Sequence, residues 1–284
     1  MKLYTFTIPS DARPGRLLPL AGRMLPEVPE YILREAFKKR DVKIDGQRAG
    51  MDAAVVPGAE IRIYARETEA KAIEIPVVYE DENVLVVVKP AGVSCEEDSK
   101  GGKTLTQLME TPERNKPLLC HRLDNPTEGL VILAKNEEIQ QLMQDAFRTR
   151  QVHKTYTCLV LGTPKPAHRL MEDYLIKDAK HAQVRVVAQP RPGAKLIVTE
   201  YSVLEAGECA RCRIQLHTGR THQIRAHMAF IGHPLLGDDL YGDRAYNRER
   251  KCRKLMLCSS ELSFELEGKL SYLNEKHFSC KPTF

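Results

Sequence analysis

Two short runs in the chain are apolar without a break: Val84-Leu85-Val86-Val87-Val88 and Leu130-Val131-Ile132-Leu133-Ala134. Successive side chains of a strand point to opposite faces, so a strand of this composition has no face for solvent. Both runs therefore predict strands buried on both sides. Val77-Val78-Tyr79 precedes the first run across the acidic turn Glu80-Asp81-Glu82-Asn83 and reads as a further strand. Ile139, Leu142, Met143, Ala146 and Phe147 fall at helical spacing and predict an amphipathic helix. Thr155 to Leu161 returns to strand. Residues 162–198 carry prolines and turn signals and read as strand and loop, and Thr221 to Ile231 reads as a helix stopped by Gly232. Strands and helices mix without regular alternation, which favours an α+β fold over a doubly wound sheet.

Residues 13–64 read as a separate small αβ module. Pro29-Glu30 is a helix start, and Ile32, Leu33, Ala36 and Phe37 fall on one face. Val42-Lys43-Ile44 alternates and turns at Asp45-Gly46, a hairpin signal, and Ile61-Arg62-Ile63-Tyr64 alternates again. Charged residues with little apolar pattern follow. The division expected is residues 1–66, a linker at 67–75, and a larger domain at 76–284.

The 284 residues carry a net charge of +5, a moderate lean towards anionic partners. The bases cluster: Arg34, Lys38, Lys39, Arg40 and Lys43 in the small module, and Arg244 to Lys254 near the other end. No stretch is long and apolar enough to cross a bilayer as a helix, and no secretion signal opens the chain. The eight cysteines then read as reduced thiols of a cytoplasmic protein. Cys209, Cys212, His217 and His222 have the spacing of a zinc site, but the alternating stretch through Cys212 predicts a strand that holds them apart. No metal is expected.

Two segments carry chemistry. In Cys120-His121-Arg122-Leu123-Asp124-Asn125-Pro126, a polar turn sits between two strands, where sites commonly lie. An Asp before Asn-Pro is also an ordinary turn former bonded to its own backbone, and composition alone favours that reading. In His217-Thr218-Gly219-Arg220-Thr221-His222-Gln223-Ile224-Arg225, a strand ends and a helix begins near Thr221. A capped helix accounts for Thr221 but not for so many polar groups ahead of Ile224.

These segments resemble the signatures of the RluA-type family of RNA pseudouridine synthases. The first is His121-Arg122-Leu123-Asp124 with Thr127, Gly129-Leu130 and Ala134-Lys135, and the second is His217 to His227. Val84 to Gly92, Lys154-Thr155-Tyr156 and His233 to Asp238 with Tyr241-Gly242 agree in order. Residues 13–64 resemble, more loosely, the S-four-type RNA-binding domain that often precedes this catalytic domain. The resemblance implies a catalytic domain built on a bent, mainly antiparallel mixed sheet with flanking helices. It implies that uridine within ribosomal or transfer RNA, most readily large-subunit ribosomal RNA, is isomerised to pseudouridine. The bond from ribose to uracil nitrogen breaks, the base rotates, and carbon 5 rejoins the ribose, with no cofactor. Asp124 matches the catalytic carboxylate and Arg225 the cation beside it. Tyr156 matches the tyrosine that packs on the target ring, and Arg122 the arginine that fills the space of the flipped base. His121 belongs to the same substrate-binding turn, as a residue that shapes it. Lys38, Lys39, Arg40 and Lys43, with Arg34, are the expected RNA face of the small domain. The family usually works as a monomer.

Glu128 departs from the family's usual Ser and puts a second carboxylate in the neighbourhood, able to raise the pKa of Asp124 if the two approach. A relative that binds RNA without catalysing, and a transfer RNA enzyme, stay open on the sequence.

Overall fold

The computed structural model describes residues 2–12, 14–26, 28, 30–50, 52–65, 73–97, 103–112, 115–178 and 183–284. Two compact units divide the chain, one of residues 1–74 with 97–102 and one of residues 75–96 with 103–284. Most of the expected linker, residues 67–72, lies outside the described residues.

The smaller unit contains β1 (Lys2–Thr7), α1 (Leu17–Met24), α2 (Glu30–Lys38), β2 (Val42–Ile44), β3 (Gln47–Ala49) and β4 (Glu60–Ala65). Its four strands form one antiparallel sheet in the order β1-β4-β2-β3. Asp45 and Gly46 both have positive φ, 46° and 83°, as a tight hairpin between β2 and β3 requires. Leu33, Ala36 and Phe37 of α2 pack on Ile61 and Ile63 of β4 in a core of their own. The opposite face of α2 carries Arg34, Lys38 and Lys39 into solvent. β1 was not read from the sequence, although Tyr4 and Phe6 alternate with Thr5 and Thr7 and pack against this core.

The larger unit contains β5 (Val77–Glu80), β6 (Val84–Lys89), α3 (Leu105–Leu108), β7 (Leu118–Leu119), β8 (Glu128–Ala134), α4 (Glu137–Arg148), β9 (Val152–Leu161), β10 (His168–Asp178), β11 (Gln183–Val187), β12 (Lys195–Glu205), β13 (Cys209–Leu216), α5 (Gln223–Phe230), α6 (Arg244–Glu249), β14 (Leu257–Phe264) and β15 (Phe278–Ser279). The main sheet runs β11-β10-β12-β13-β9-β14-β8-β6-β5. It is antiparallel except where β14 meets β8 in parallel. The α+β expectation holds.

β6 and β8 are the two unbroken apolar runs, and every residue of β8 is buried. One face packs Leu85, Val87, Val131 and Leu133 into the core that also holds Tyr156 and Ile224. The other packs Val84, Val86, Leu130 and Ile132 against α4. The Asn136 side chain caps α4 by accepting the N–H of Ile139 at 3.0 Å, with Glu137 and Glu138 in the first turn. Ile139, Met143 and Ala146 are buried, but Leu142 is 40% exposed, so the packed stripe is narrower than the spacing implied. No helix among the described residues is long and apolar enough to cross a membrane.

Gly129 marks the parallel contact. Its φ is +116°, and a Cβ there would stand 2.4 Å from the carbonyl oxygen of Ser259 on β14. Only a residue without a side chain lets the two strands approach this closely. The contact lies directly after the turn that carries Asp124.

Candidate active site

The turn between β7 and β8 is closed by backbone, with Thr127 donating its N–H to the carbonyl oxygen of Asp124 at 3.0 Å. The carboxylate of Asp124 takes no part in that bond. It faces Arg225 Nη1 at 3.5 Å and His222 Nε2 at 3.8 Å. A turn former bonded to its own backbone would spend its side chain locally, whereas this carboxylate faces two side chains of the other segment.

A second clamp holds the turn from behind. Lys89 is fully buried at the end of β6, and its ammonium donates to the carbonyls of Pro90, Val93 and Asn125 at 3.1, 2.9 and 3.2 Å. Burial pulls its pKa down to about 8. With three internal acceptors and no exposed surface, Lys89 ties the Asp124 turn to the end of β6.

Arg225 is itself held. It is 2% exposed, gives two hydrogen bonds to Asp238 at 2.7 and 2.8 Å, and reaches Asp239 at 3.3 Å. Burial alone would raise the Asp238 carboxyl, but the Arg225 guanidinium and the N–H groups of Tyr241 and Leu240 outweigh it and keep the pKa below the usual range. Arg225 therefore pairs first with Asp238, and Asp124 receives its outer nitrogen. In the sequence Asp238 only closes the motif that begins at His233.

α5 begins at Gln223, two residues later than expected, because His222 adopts the left-handed conformation at φ 53°. Gln223 accounts for the polar excess before Ile224. Its amide oxygen accepts from Thr218 Oγ1 and the N–H of Arg220, and its nitrogen donates to the carbonyl of Val198 and to Thr199. His222 contacts the Tyr241 hydroxyl through Nδ1 at 3.0 Å. Tyr241 already accepts the N–H of Val184, so its own proton can go to Nδ1. That assigns the ring proton of neutral His222 to Nε2, facing Asp124. Burial lowers the pKa of His222 against the opposing pull of Asp124.

Tyr156 lies on β9, 5% exposed, and lines the same pocket as Asp124, His222 and Arg225, with Thr127, Leu216 and Ile224. Burial first, and then the charge of Asp124, push its phenol pKa up. His121 points elsewhere. Its Nε2 accepts the N–H of Ile132 at 3.0 Å, its ring packs on Phe147 at 4.4 Å between centroids, and burial holds its pKa well below the ordinary value. Arg122 is exposed and pairs with Glu96. The Glu128 carboxylate accepts the N–H and hydroxyl of Thr283, both at 2.7 Å, and is occupied by those bonds.

The zinc spacing dissolves in the fold. Cys209 contacts the Tyr246 hydroxyl, Cys212 is buried in the core, His217 pairs with Glu200, and His222 bonds Tyr241.

A carboxylate, a guanidinium and a buried tyrosine share one pocket, and comparison with known proteins gives the class of the chain. Residues 83–230 match the model of the RNA pseudouridylate synthase family, and the chain belongs to that family. It is an RNA pseudouridine synthase, an isomerase. Its relatives include ribosomal large subunit pseudouridine synthase D of Pseudomonas aeruginosa, 31% identical across 84% of this chain and 77% of that protein. Ribosomal large subunit pseudouridine synthase C of Vibrio vulnificus is 28% identical across 93% and 89%. Among solved structures, human RNA pseudouridylate synthase domain containing 4 superposes with a TM-score of 0.59 at 25% identity, covering 72% of this chain and 88% of that one.

Proposed function

We propose that this enzyme isomerises uridine in large-subunit ribosomal RNA, with Asp124 as the catalytic carboxylate. The observation that carries the assignment is the chain of contacts Asp238–Arg225–Asp124 at the floor of a pocket walled by Tyr156. Arg225, fixed by Asp238, is rigidly aimed at the Asp124 carboxylate as its counter-charge. The names of the relatives support the ribosomal target.

A base inside RNA reaches such a pocket only by leaving its stack. Tyr156 then offers its ring face to the uracil. Its phenol keeps its proton beside Asp124, so it acts as a packing surface and a proton donor rather than as a base. Asp124 is the group beside the reacting atoms, and the glycosidic bond breaks and reforms at carbon 5 without loss or gain of any group. Arg122, exposed at the edge of the turn, fills the space left in the helix. Residues 1–66 form an RNA-binding domain whose exposed Arg34, Lys38, Lys39 and Arg40, with half-buried Lys43, meet phosphates.

The test is pseudouridine mapping on unmodified, transcribed large-subunit ribosomal RNA treated with wild type or Asp124→Asn. Defined sites with wild type and none with the variant support the reading. Equal modification by both would remove Asp124 from the chemistry, and none by wild type would remove this RNA as the substrate.

A further inference from the structure

Beside the Asp124 pocket, and joined to it through Leu216 and Arg220, lies a cleft of about 630 Å³ between the end of α4, the start of β9 and the turn after β13. Ligand clefts span roughly 300–1,000 Å³, so this one is large enough to hold a segment of substrate. Arg122, Arg148, Arg150, Lys154 and Arg220 line it, and no carboxylate does.

Lys154 is the unusual member. It is partly buried, with its ammonium 5.2 Å from the centre of the Phe147 ring and close beside the backbone of Gly219. Among the described residues it has no carboxylate and no hydrogen-bond acceptor. Lost hydration alone pulls its pKa down to about 8. Lys89 and Arg225 in this same unit have protein acceptors, whereas the half-buried Lys154 ammonium has, among the described residues, only the cation–π contact with Phe147 and opens onto the cleft. Standing among arginines and beside the Asp124 pocket, it is placed to receive an anion.

We propose that Lys154 is the anchor for a backbone phosphate of the RNA strand on one side of the flipped uridine, with Arg150 and Arg220 flanking it. The inference rests on the functional reading above and makes it more specific: it gives the strand a path from the Asp124 pocket along the Leu216–Arg220 turn towards α4. A phosphodiester offers the ammonium charged oxygens that no protein group among the described residues supplies, and in a partly dehydrated setting such a bond is stronger than at an open surface. Gly219 leaves the space beside the ammonium that a side chain would narrow, since a Cβ there would stand 3.6 Å from Nζ.

The test compares wild type, Lys154→Met, Lys154→Arg and Arg150→Gln in binding to transcribed large-subunit ribosomal RNA over a range of potassium chloride, with pseudouridine formation followed in parallel. Methionine keeps the stem under Phe147 and removes only the charge. Loss of one phosphate contact lowers the slope of log affinity against log salt by about 0.7–0.9. Lys154→Met is expected to show that change with a 5- to 30-fold weaker affinity (about 1–2 kcal/mol), Lys154→Arg to recover most of it, and Arg150→Gln to show a smaller loss. A merely structural lysine would leave the salt slope of the folded variant unchanged. An unchanged slope and affinity in Lys154→Met, with wild type active, overturns the anchor and leaves the isomerase reading standing. Inactive wild type overturns the ribosomal reading, while the slopes still decide the anchor. If Lys154→Met does not fold, an unchanged slope in Arg150→Gln overturns the cleft as a phosphate path.

Discussion

Arg225 gives Asp238 two hydrogen bonds, at 2.7 and 2.8 Å, and reaches Asp124 with its remaining nitrogen at 3.5 Å. The tight pair is the one away from the pocket. Asp238 positions the guanidinium, and Asp124 is held by the looser contact. Replacing Asp238 by Asn keeps the volume but leaves the buried guanidinium without its main counter-charge. The expected loss is about 3–5 kcal/mol, the scale for breaking a buried pair on one side. Chemical denaturation measures it, and a loss below about 1 kcal/mol would show that Asp124 and Asp239 suffice.

The same pair sets an acid limit. The folded pKa of Asp238 lies below its ordinary value, so its contribution is present above the ordinary carboxylate range and is lost as pH falls through the lower, folded value. The stability gap between wild type and Asp238→Asn is therefore expected to narrow below about pH 4. Denaturation curves of both proteins at pH 7 and in acid check the direction.

Asp124→Asn is expected to lower pseudouridine formation by at least about 10³-fold, the upper part of the range for a positioned catalytic group. RNA affinity is expected to stay within about threefold, because the neighbouring cations rather than Asp124 meet phosphate. Paired activity and filter-binding measurements separate the two, and a matched loss in both would assign Asp124 to binding.

Lys89→Met removes three hydrogen bonds from carbonyls around the Asp124 turn. Each buried acceptor left unmet costs about 1–3 kcal/mol, partly offset by no longer burying a charge. The turnover rate is expected to fall more than RNA affinity. The pH signature is specific. The folded pKa of about 8 lies below the unfolded 10.5, so unfolding takes up protons between those values and wild type gains stability across that window as pH rises. Lys89→Met lacks that gain, which denaturation at pH 7.5 and near pH 10 would reveal as a changing difference between the two proteins.

Gly129→Ala is expected to cost about 3 kcal/mol or more, because the added carbon meets Ser259 backbone at 2.4 Å in a left-handed region of φ. Reduced melting temperature with the sheet otherwise retained is the readout. An unchanged melting temperature would mean that β8 and β14 can separate without penalty.

The fold was legible where one periodicity dominates. β6 and β8 are unbroken apolar runs, and α4 has a cap, an acidic first turn and a buried stripe. The start of α5 was not legible, because a non-glycine left-handed residue, His222, carries no sequence mark. Asp124, Tyr156 and Arg225 came from resemblance, and the structure brings all three to one pocket. Asp238 was obscured by looking like a turn residue, which it also is: it accepts the N–H groups of Leu240 and Tyr241 while holding Arg225. The inward turn of Lys89 and the half-burial of Lys154 are not legible either, because lysines are rarely buried. Nothing in a lysine's neighbours along the chain tells that its ammonium is turned inward.

Arg225 is shared among Asp124, Asp238 and Asp239, and Arg220 is the other guanidinium that lines the Asp124 pocket. Arg220 also lines the neighbouring cleft, where Arg122, Arg148, Arg150 and Lys154 stand with no carboxylate among them. On the reading proposed above, most of the cations that meet phosphate are therefore spread away from the carboxylate, and a strand long enough to reach both places is expected to bind more tightly than a free mononucleotide.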